Sequence, residues 1–350
     1  MPSRQTEEHQ ALLRTKYHKK RQRLKHIFRI LVGVFVILAA AGGVFYGWNI
    51  LSGNYLGTPE QAFDSSEVFT NALAAKENMR TESFAQKLCV SPKGNVDRIK
   101  NAQLEDGQKG LLFSLSNHKV LYANGIYDKV YPASITKIMT AMLALQSGKL
   151  NDTVTITQDN VTLEDGSQVC GFVAGDQVTL DQLLHCLLVY SGNDAASAIA
   201  EYVGGSTENF VQMMNDYAAK LGCTGTHFSN PHGLQDENHY TTPYDIYLML
   251  NEAFTYPEFT EITELPSYTV TYTGSDGTEK STTLTATDHY LTGEATAPKD
   301  VTILGGKTGT TEVAGNCLAI LTQNAYGKTF VSIVMGAATK ELLYLSLIHI

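Results

Sequence analysis

Tyr131-Pro132-Ala133-Ser134-Ile135-Thr136-Lys137-Ile138-Met139-Thr140 is the stretch from which the rest of the chain is read. Apolar residues recur at helical spacing over 135–145, directly after a proline and a serine, which is how helices commonly begin. The spacing predicts a helix opened by Ser134, with Lys137 one turn on and on the same face. A serine in that position also reads as a plain N-cap, so its meaning depends on what else the chain carries. Ser191-Gly192-Asn193 follows between helical patterns at 180–189 and 194–203, and Lys307-Thr308-Gly309 follows a strand-like run at 301–304. Lys307-Thr308-Gly309 by itself also reads as a polar turn after that run, with Gly305-Gly306 supplying flexibility. Decoys of the first two motifs exist. Ser52-Gly53-Asn54 repeats one spacing, and Ser116-Asn117-His118-Lys119 repeats the other. The latter lies between strand-like runs at 110–114 and 120–123, so it is expected in a hairpin whose side chains need not meet.

A serine hydroxyl attacks a carbonyl carbon only if a nearby base takes its proton. Lys137 is placed for that role provided its pKa falls from about 10.4, which burial beside a second cation, Lys307, would bring about. Charge developing on the carbonyl oxygen needs donors aimed at it beforehand. The backbone N–H groups of Ser134 and of Thr310, at a strand edge, are the candidates. Ser191 could pass a proton to a leaving amine, and the Asn193 amide could both hold Lys137 and bond a substrate backbone. Lys307, with the hydroxyls of Thr308 and Thr310, makes a cationic, donor-rich edge suited to a free carboxylate.

The three motifs in this order resemble the signature shared by penicillin-binding proteins and class A β-lactamases. The likeness extends over about 110–337 through Tyr131–Thr140, Leu187-Leu-Val-Tyr-Ser-Gly-Asn-Asp-Ala-Ala196, Thr226-His-Phe-Ser-Asn-Pro-His-Gly-Leu234, His239-Tyr-Thr-Thr242, Gly306-Lys-Thr-Gly-Thr-Thr311 and Ala314-Gly315. In these stretches the chain resembles the D-alanyl-D-alanine carboxypeptidases, the low-molecular-mass penicillin-binding proteins of serine peptidase family S11. That resemblance implies removal of the terminal D-alanine from peptidoglycan stem pentapeptides through an acyl-enzyme, with acylation by β-lactams. It implies Ser134 as nucleophile, Lys137 as base, Ser191 and Asn193 as the second motif, and Lys307, Thr308 and Gly309 as the third, with no cofactor and no metal. A class A β-lactamase would need a glutamate to activate the deacylating water; no E-x-x-L-N is present, and Gly192 stands where that class usually has aspartate. A DD-endopeptidase, or a membrane-anchored β-lactam sensor without turnover, would use the same acylation groups. Thr310, where other members often carry a bulkier residue, and the segment 287–299, which lacks the expected Asn-rich run, depart from the family pattern.

With 350 residues and 43% hydrophobic content, the chain can bury a sizeable core and carry an appendage. Residues 1–29 hold nine Lys or Arg against Glu7 and Glu8, and residues 30–48 hold no charge. The expected organisation is a basic cytoplasmic tail (1–29), a transmembrane signal-anchor (30–49), an extracytoplasmic stalk (50–103) and a catalytic domain (104–344). Val44-Phe45-Tyr46 extends the apolar run past Ala39-Ala40-Ala41, which favours an anchor over a cleaved signal peptide. This places the enzyme outside a bacterial cell membrane. The formal charge of −9 becomes −16 once the basic leader is set aside, which argues against nucleic acid as a partner.

Cys89, Cys170, Cys186, Cys223 and Cys317 form no C-x-x-C pair, and Cys186 and Cys317 lie in apolar runs, as buried free thiols do. The spacing of His227, His232 and His239 fits no zinc pattern. Strand-like runs before and after a helical stretch (180–254) predict an α+β fold whose sheet is antiparallel, and the resemblance implies an antiparallel sheet covered by helices. The resemblance adds a helical lobe bearing Ser191 and Asn193, with the site in the cleft between. Residues 340–344 look like the opening of a helix. Leu345-Ser-Leu-Ile-His-Ile350 resembles the translation of a transposon-end sequencing adapter, so a truncated chain with a non-native tail at 345–350, lacking the final helix, is expected.

Overall fold

The structure, a computed structural model, describes Lys25, Val32 and Gly33, then residues 88–91, 93–97 and 104–349. The chain divides into two compact units, Met1–Leu73 and Ala74–Ile350. In the first, the described positions are each helical. The membrane segment expected at 30–49, apart from Val32 and Gly33, and most of the stalk expected at 50–103 lie outside the described residues. Among the described residues, no helix is long and apolar enough to cross a membrane.

The second unit opens with β1 (Val96–Asp97), β2 (Lys109–Ser114) and β3 (Lys119–Asn124), then a 3-10 turn at Ala133–Thr136 leading into α1 (Lys137–Gln146). A largely helical block follows: β4 (Thr153–Thr155), α2 (Gln158–Val161), β5 (Gln177–Thr179), α3 (Leu180–His185), a π turn at Cys186–Tyr190, α4 (Asn193–Gly204), α5 (Thr207–Leu221), α6 (Pro243–Ala253) and α7 (Pro257–Thr263). The hairpin β6 (Ser267–Thr273) and β7 (Glu279–Thr285), α8 (His289–Thr292), β8 (Val301–Thr311), β9 (Gly315–Asn324), β10 (Thr329–Ala337) and α9 (Lys340–His349) complete it. Leu88–Ser91 and β1, which fall in the expected stalk, are part of this unit. Cys89 is fully buried, its N–H donates to Tyr247 Oη at 2.8 Å, and β1 pairs with β3.

The main sheet runs β1-β3-β2-β10-β9-β8 with antiparallel neighbours, so the expected α+β fold with an antiparallel sheet forms. Its first strands and its last are joined where Phe113 of β2 faces Val331 of β10. β9 is buried on both faces from Asn316 to Thr322. Its hydrophobic run reflects cover on two sides. On one side α6 lies against β2 and β10. On the other, Leu343, Tyr344 and Leu347 of α9 join Tyr122, Leu318, Ile320 and Val334 in a second apolar cluster. The helix begun at Lys340 continues through residues 345–349. A second sheet, β4-β5-β6-β7, was not expected.

Helix α1 is buried without a break from Lys137 to Ala144, among α3, α4, α5 and α6. An all-round apolar sequence suits a helix with no solvent face. β8 corrects one expectation. Lys307-Thr308-Gly309 is not a turn after a strand but the middle of a strand, with Lys307 opposite Ala319 and Gly309 opposite Cys317. Gly305, at φ +97°, absorbs a register slip between Ile303 and Gly306. The Gly-Gly pair is therefore a bulge that re-aims the strand rather than ending it.

Candidate active site

Ser134 lies in the 3-10 turn, and Lys137 opens α1. Ala133 beside the serine is held at φ +47°, a conformation that strains a residue with a Cβ. Gly233, at φ +90°, crosses so near that a Cβ there would collide with Ala133 O, so backbone contact fixes the turn. Lys137 is fully buried, and its Nζ lies 2.8 Å from Ser134 Oγ, 2.6 Å from Asn193 Oδ1 and 2.7 Å from His232 O. Asn193 Oδ1 and His232 O can accept the two N–H groups of a neutral amine, leaving its lone pair for the Ser134 hydroxyl. Burial, then the charge of Lys307, hold the Lys137 pKa well below the usual lysine range. A neutral amine at 2.8 Å is within reach of the serine proton.

Ser191 ends the π turn at φ +69°, and Asn193 begins α4. Single π turns of this kind often occur at functional sites. Between them, a Cβ on Gly192 would collide with Cys170 Sγ. That leaves no room for the aspartate of a class A β-lactamase at this position. The Asp194 carboxylate, 1% exposed, accepts N–H bonds from Cys170 at 2.8 Å, Gly171 at 3.1 Å and Ala195 at 2.9 Å. It thereby tethers the segment that carries Ser167 and Gln168. Gln168 is fixed at both ends, its carbonyl accepting from Asn193 N at 2.8 Å and its amide donating to Tyr190 O.

β8 is the edge strand on the other side of the serine. A Cβ on Gly309 would come within 3.0 Å of Ser134 N, Ile135 N and Pro132 O, so only glycine allows so close an approach without a shift. Ser134, Ser191, Asn193, Thr308, Gly309 and Thr310 line a cleft of about 350 Å³, large enough for a peptide terminus. Lys307 does not line it. Its side chain is 2% exposed and donates to Thr308 O at 2.9 Å, so its charge acts on the cleft from within the protein. Burial pushes its pKa down to about 7, against the pull of Asp288.

The histidines support the floor. His239 Nε2 lies 2.7 Å from Thr136 Oγ1, and its Nδ1 accepts from Ser229 N at 3.1 Å. Burial depresses His239 to about 4 and His232 to about 3, so both are neutral at pH 7. All five cysteines are buried free thiols. The structure thus brings together Ser134, Lys137, Ser191, Asn193, Thr308, Gly309 and Thr310, with Lys307 one layer behind. The decoy Ser116 is in the β2–β3 connection, 3.3 Å from Thr329 Oγ1, and Ser52 lies outside the described residues. Sequence reasoning did not single out Asp194, Gln168 or Gly233. Asp194 adjoins a motif, but an acidic residue in a first helical turn reads as ordinary dipole complementation.

The profile of the family described as D-alanyl-D-alanine carboxypeptidase matches residues 99–339. D-alanyl-D-alanine carboxypeptidase DacF of Bacillus subtilis is 32% identical over 242 residues, covering 67% of this chain and 59% of its own length. DacC of Escherichia coli, of the same description, is 34% identical over 248 residues, covering 68% and 58%. A Streptomyces DD-transpeptidase crystal structure superposes with a TM-score of 0.65 at 26% identity, covering 73% of this chain and 97% of that one. A D-alanyl-D-alanine carboxypeptidase from Mycobacterium tuberculosis gives 0.63 at 27% identity, covering 73% and 94%. The chain spans just under three fifths of the length of the curated relatives it matches. With a family profile matching well over half its residues, on a fold shared with solved DD-peptidases, the chain belongs to the D-alanyl-D-alanine carboxypeptidase family.

Proposed function

We propose that this protein is a serine-type D-Ala-D-Ala carboxypeptidase that removes the terminal D-alanine from peptidoglycan stem pentapeptides and is acylated by β-lactams. Ser134 Oγ attacks the carbonyl carbon of the penultimate D-alanine while Lys137 takes its proton. The oxyanion is stabilised by the N–H groups of Ser134 and Thr310. Ser191 passes a proton to the departing amine as the C–N bond breaks and is replenished by the proton held on Lys137, releasing D-alanine, leaving an ester on Ser134 and returning Lys137 to its neutral form. Water attacks that ester with Lys137 again accepting a proton, which returns to the serine as the shortened peptide leaves. Thr308 and Thr310, in the field of Lys307, hold the terminal carboxylate. Residues 30–49 anchor the enzyme in the bacterial cell membrane, with 1–29 in the cytoplasm and 50–103 linking to the catalytic domain outside.

The observation that carries this reading is the fully buried Lys137 amine 2.8 Å from Ser134 Oγ. The test is D-alanine release from diacyl-Lys-D-Ala-D-Ala, with fluorescent penicillin labelling in parallel, by wild type and Ser134→Ala. Release and labelling lost together in the variant support the carboxypeptidase. Labelling without release by the wild type would replace it with the endopeptidase or sensor reading.

A further inference from the structure

Asp288 belongs to no motif and stands in the segment 287–299, where the chain departs from its family. It is 7% exposed and caps α8, its Oδ1 accepting from Tyr290 N at 3.0 Å. The same oxygen accepts from Tyr344 Oη at 3.1 Å, and Tyr344 Oη itself accepts from His289 N at 2.7 Å. The Tyr344 ring stacks on His289 at 5.2 Å and meets Tyr290 edge-on at 4.7 Å, so α9 clamps the carboxylate in place. Among the described residues, Oδ2 has no hydrogen-bond partner. Asp288 and Lys307 both line a cavity of about 10 Å³, the room of one water molecule, together with Gly306, Thr308, Leu188 and Leu291. A carboxylate with an unbonded oxygen is costly to bury unless a cation lies near. Lys307 is such a cation, and Asp288 is the anion acting on it.

The charges around this pair are few. Lys137 on α1 faces Lys307 and is itself faced by Asp194 on α4 and by Cys170. His289 faces Asp288, with Glu294 Oε2 3.4 Å and Lys340 Nζ 3.4 Å from its Nε2. The charge of Lys307 disfavours a second charge on Lys137, so of these two buried amines one carries the proton. Acyl transfer requires it on Lys307, leaving Lys137 neutral.

We infer that Asp288 is a positioning residue: its clamped carboxylate, across the cavity it shares with Lys307, fixes the shared proton on Lys307 and so leaves Lys137 free to act as the base. The inference rests on the acyl-transfer reading of Ser134 and Lys137. It assigns to a side chain outside the cleft the choice of which lysine is charged.

The test is the pH profile, from 5.5 to 10, of the second-order rate of acylation by benzylpenicillin, measured on the full chain as wild type, Asp288→Asn and Asp288→Ser. Serine keeps the cap to Tyr290 N while removing the charge, and serves if the asparagine variant does not fold. The expected result is a downward move of the alkaline limb by about one pH unit or more, as removing an adjacent opposite charge gives, with variant and wild type converging at the acidic end. One unit above the wild-type half-point, the variant is then about tenfold slower or more. A uniform loss with the limb in place, or no change at all, would overturn the inference and leave Asp288 as a helix cap. A wild type that is not acylated at any pH would count against the acyl-transfer reading instead.

Discussion

On one side of the cleft, backbone meets backbone; on the other, a loop hangs from a carboxylate. The Ser134 turn is held between Gly233 and Gly309, each so close that a side-chain carbon would collide or come within 3.0 Å of main-chain atoms. Nothing there can move without moving α1 or β8. The facing wall, residues 162–169, is largely exposed and is tied to the core by hydrogen bonds, through Asp194, which accepts the amides of Cys170 and Gly171, and through Gln168, which is bonded to Asn193 N and Tyr190 O. Steric contact rises steeply with displacement, whereas a hydrogen bond stretches or exchanges with water at modest cost. The floor can therefore hold the nucleophile and base to the tolerance that acyl transfer needs, while the wall can yield to admit a peptide and close over the acyl-enzyme.

This contrast can be broken or sharpened by a graded set of changes. Ser134→Ala should lower D-alanine release and penicillin acylation by on the order of 10⁴-fold or more, with the thermal midpoint little moved, as read by turnover assay and calorimetry. Gly233→Ala forces a Cβ into Ala133 O at positive φ, and should cost about 3 kcal/mol in denaturant unfolding together with most acylation. Asp194→Asn replaces a charge-assisted acceptor of several amides, and should cost about 2 kcal/mol, slow acylation roughly ten- to a hundredfold, and admit limited proteolysis within 163–171. Losses in Asp194→Asn equal to those in Gly233→Ala, without new proteolysis, would erase the distinction between the two sides.

The smallest effect concerns acid. His239, beneath the floor, falls from 6.5 to about 4 on folding, so the unfolded chain binds the extra proton between those values. Its contribution is fully present above pH 6.5 and is lost as pH falls towards 4. At pH 5 this amounts to about 2 kcal/mol, readable as a drop in urea midpoint relative to pH 7.5 that His239→Asn reduces, leaving the share of His232, itself depressed to about 3. An acid-labile floor whose acylation rate falls in step would tie stability to the Thr136–His239 bond.

Ser134, Lys137, Ser191, Asn193 and the Lys307-Thr308-Gly309 strand were legible because acyl transfer fixes residue type and order together. The long helices were legible as well, since α4, α5 and α6 each repeat their apolar faces over several turns. β4 and β5 were not. At three residues each, Thr153–Thr155 and Gln177–Thr179 are too short for alternation to register, and they form by pairing with each other, β5 meeting the β6–β7 hairpin where Gln177 stands opposite Thr273. The Gly305-Gly306 pair misled because a turn and a bulge call for the same residue, and only the β9 partner strand distinguishes them. Lys307 reads as a surface cation, yet it is enclosed by tertiary contacts that no local pattern records. Asp194, Gly233, Asp288 and Tyr344 matter through partners far along the chain, and their own neighbourhoods carry no sign of it.

The seam between β2 and β10 has a kinetic consequence. Phe113 meets Val331 only after the whole helical block and strands β3 to β9 have been made, so the sheet can close only once Val331 has been synthesised. Contacts of such sequence separation are slow to form because loop closure must precede any gain. Ser134 and Lys137 can settle early within the helical block, but β8 reaches them only on the closing sheet. Refolding should then pass through a compact state that has its helices but no acylating power. Penicillin reactivity should return with the amide protection of β2 and β10, and its return with the earlier protection of α1 would show that closure is not the final step.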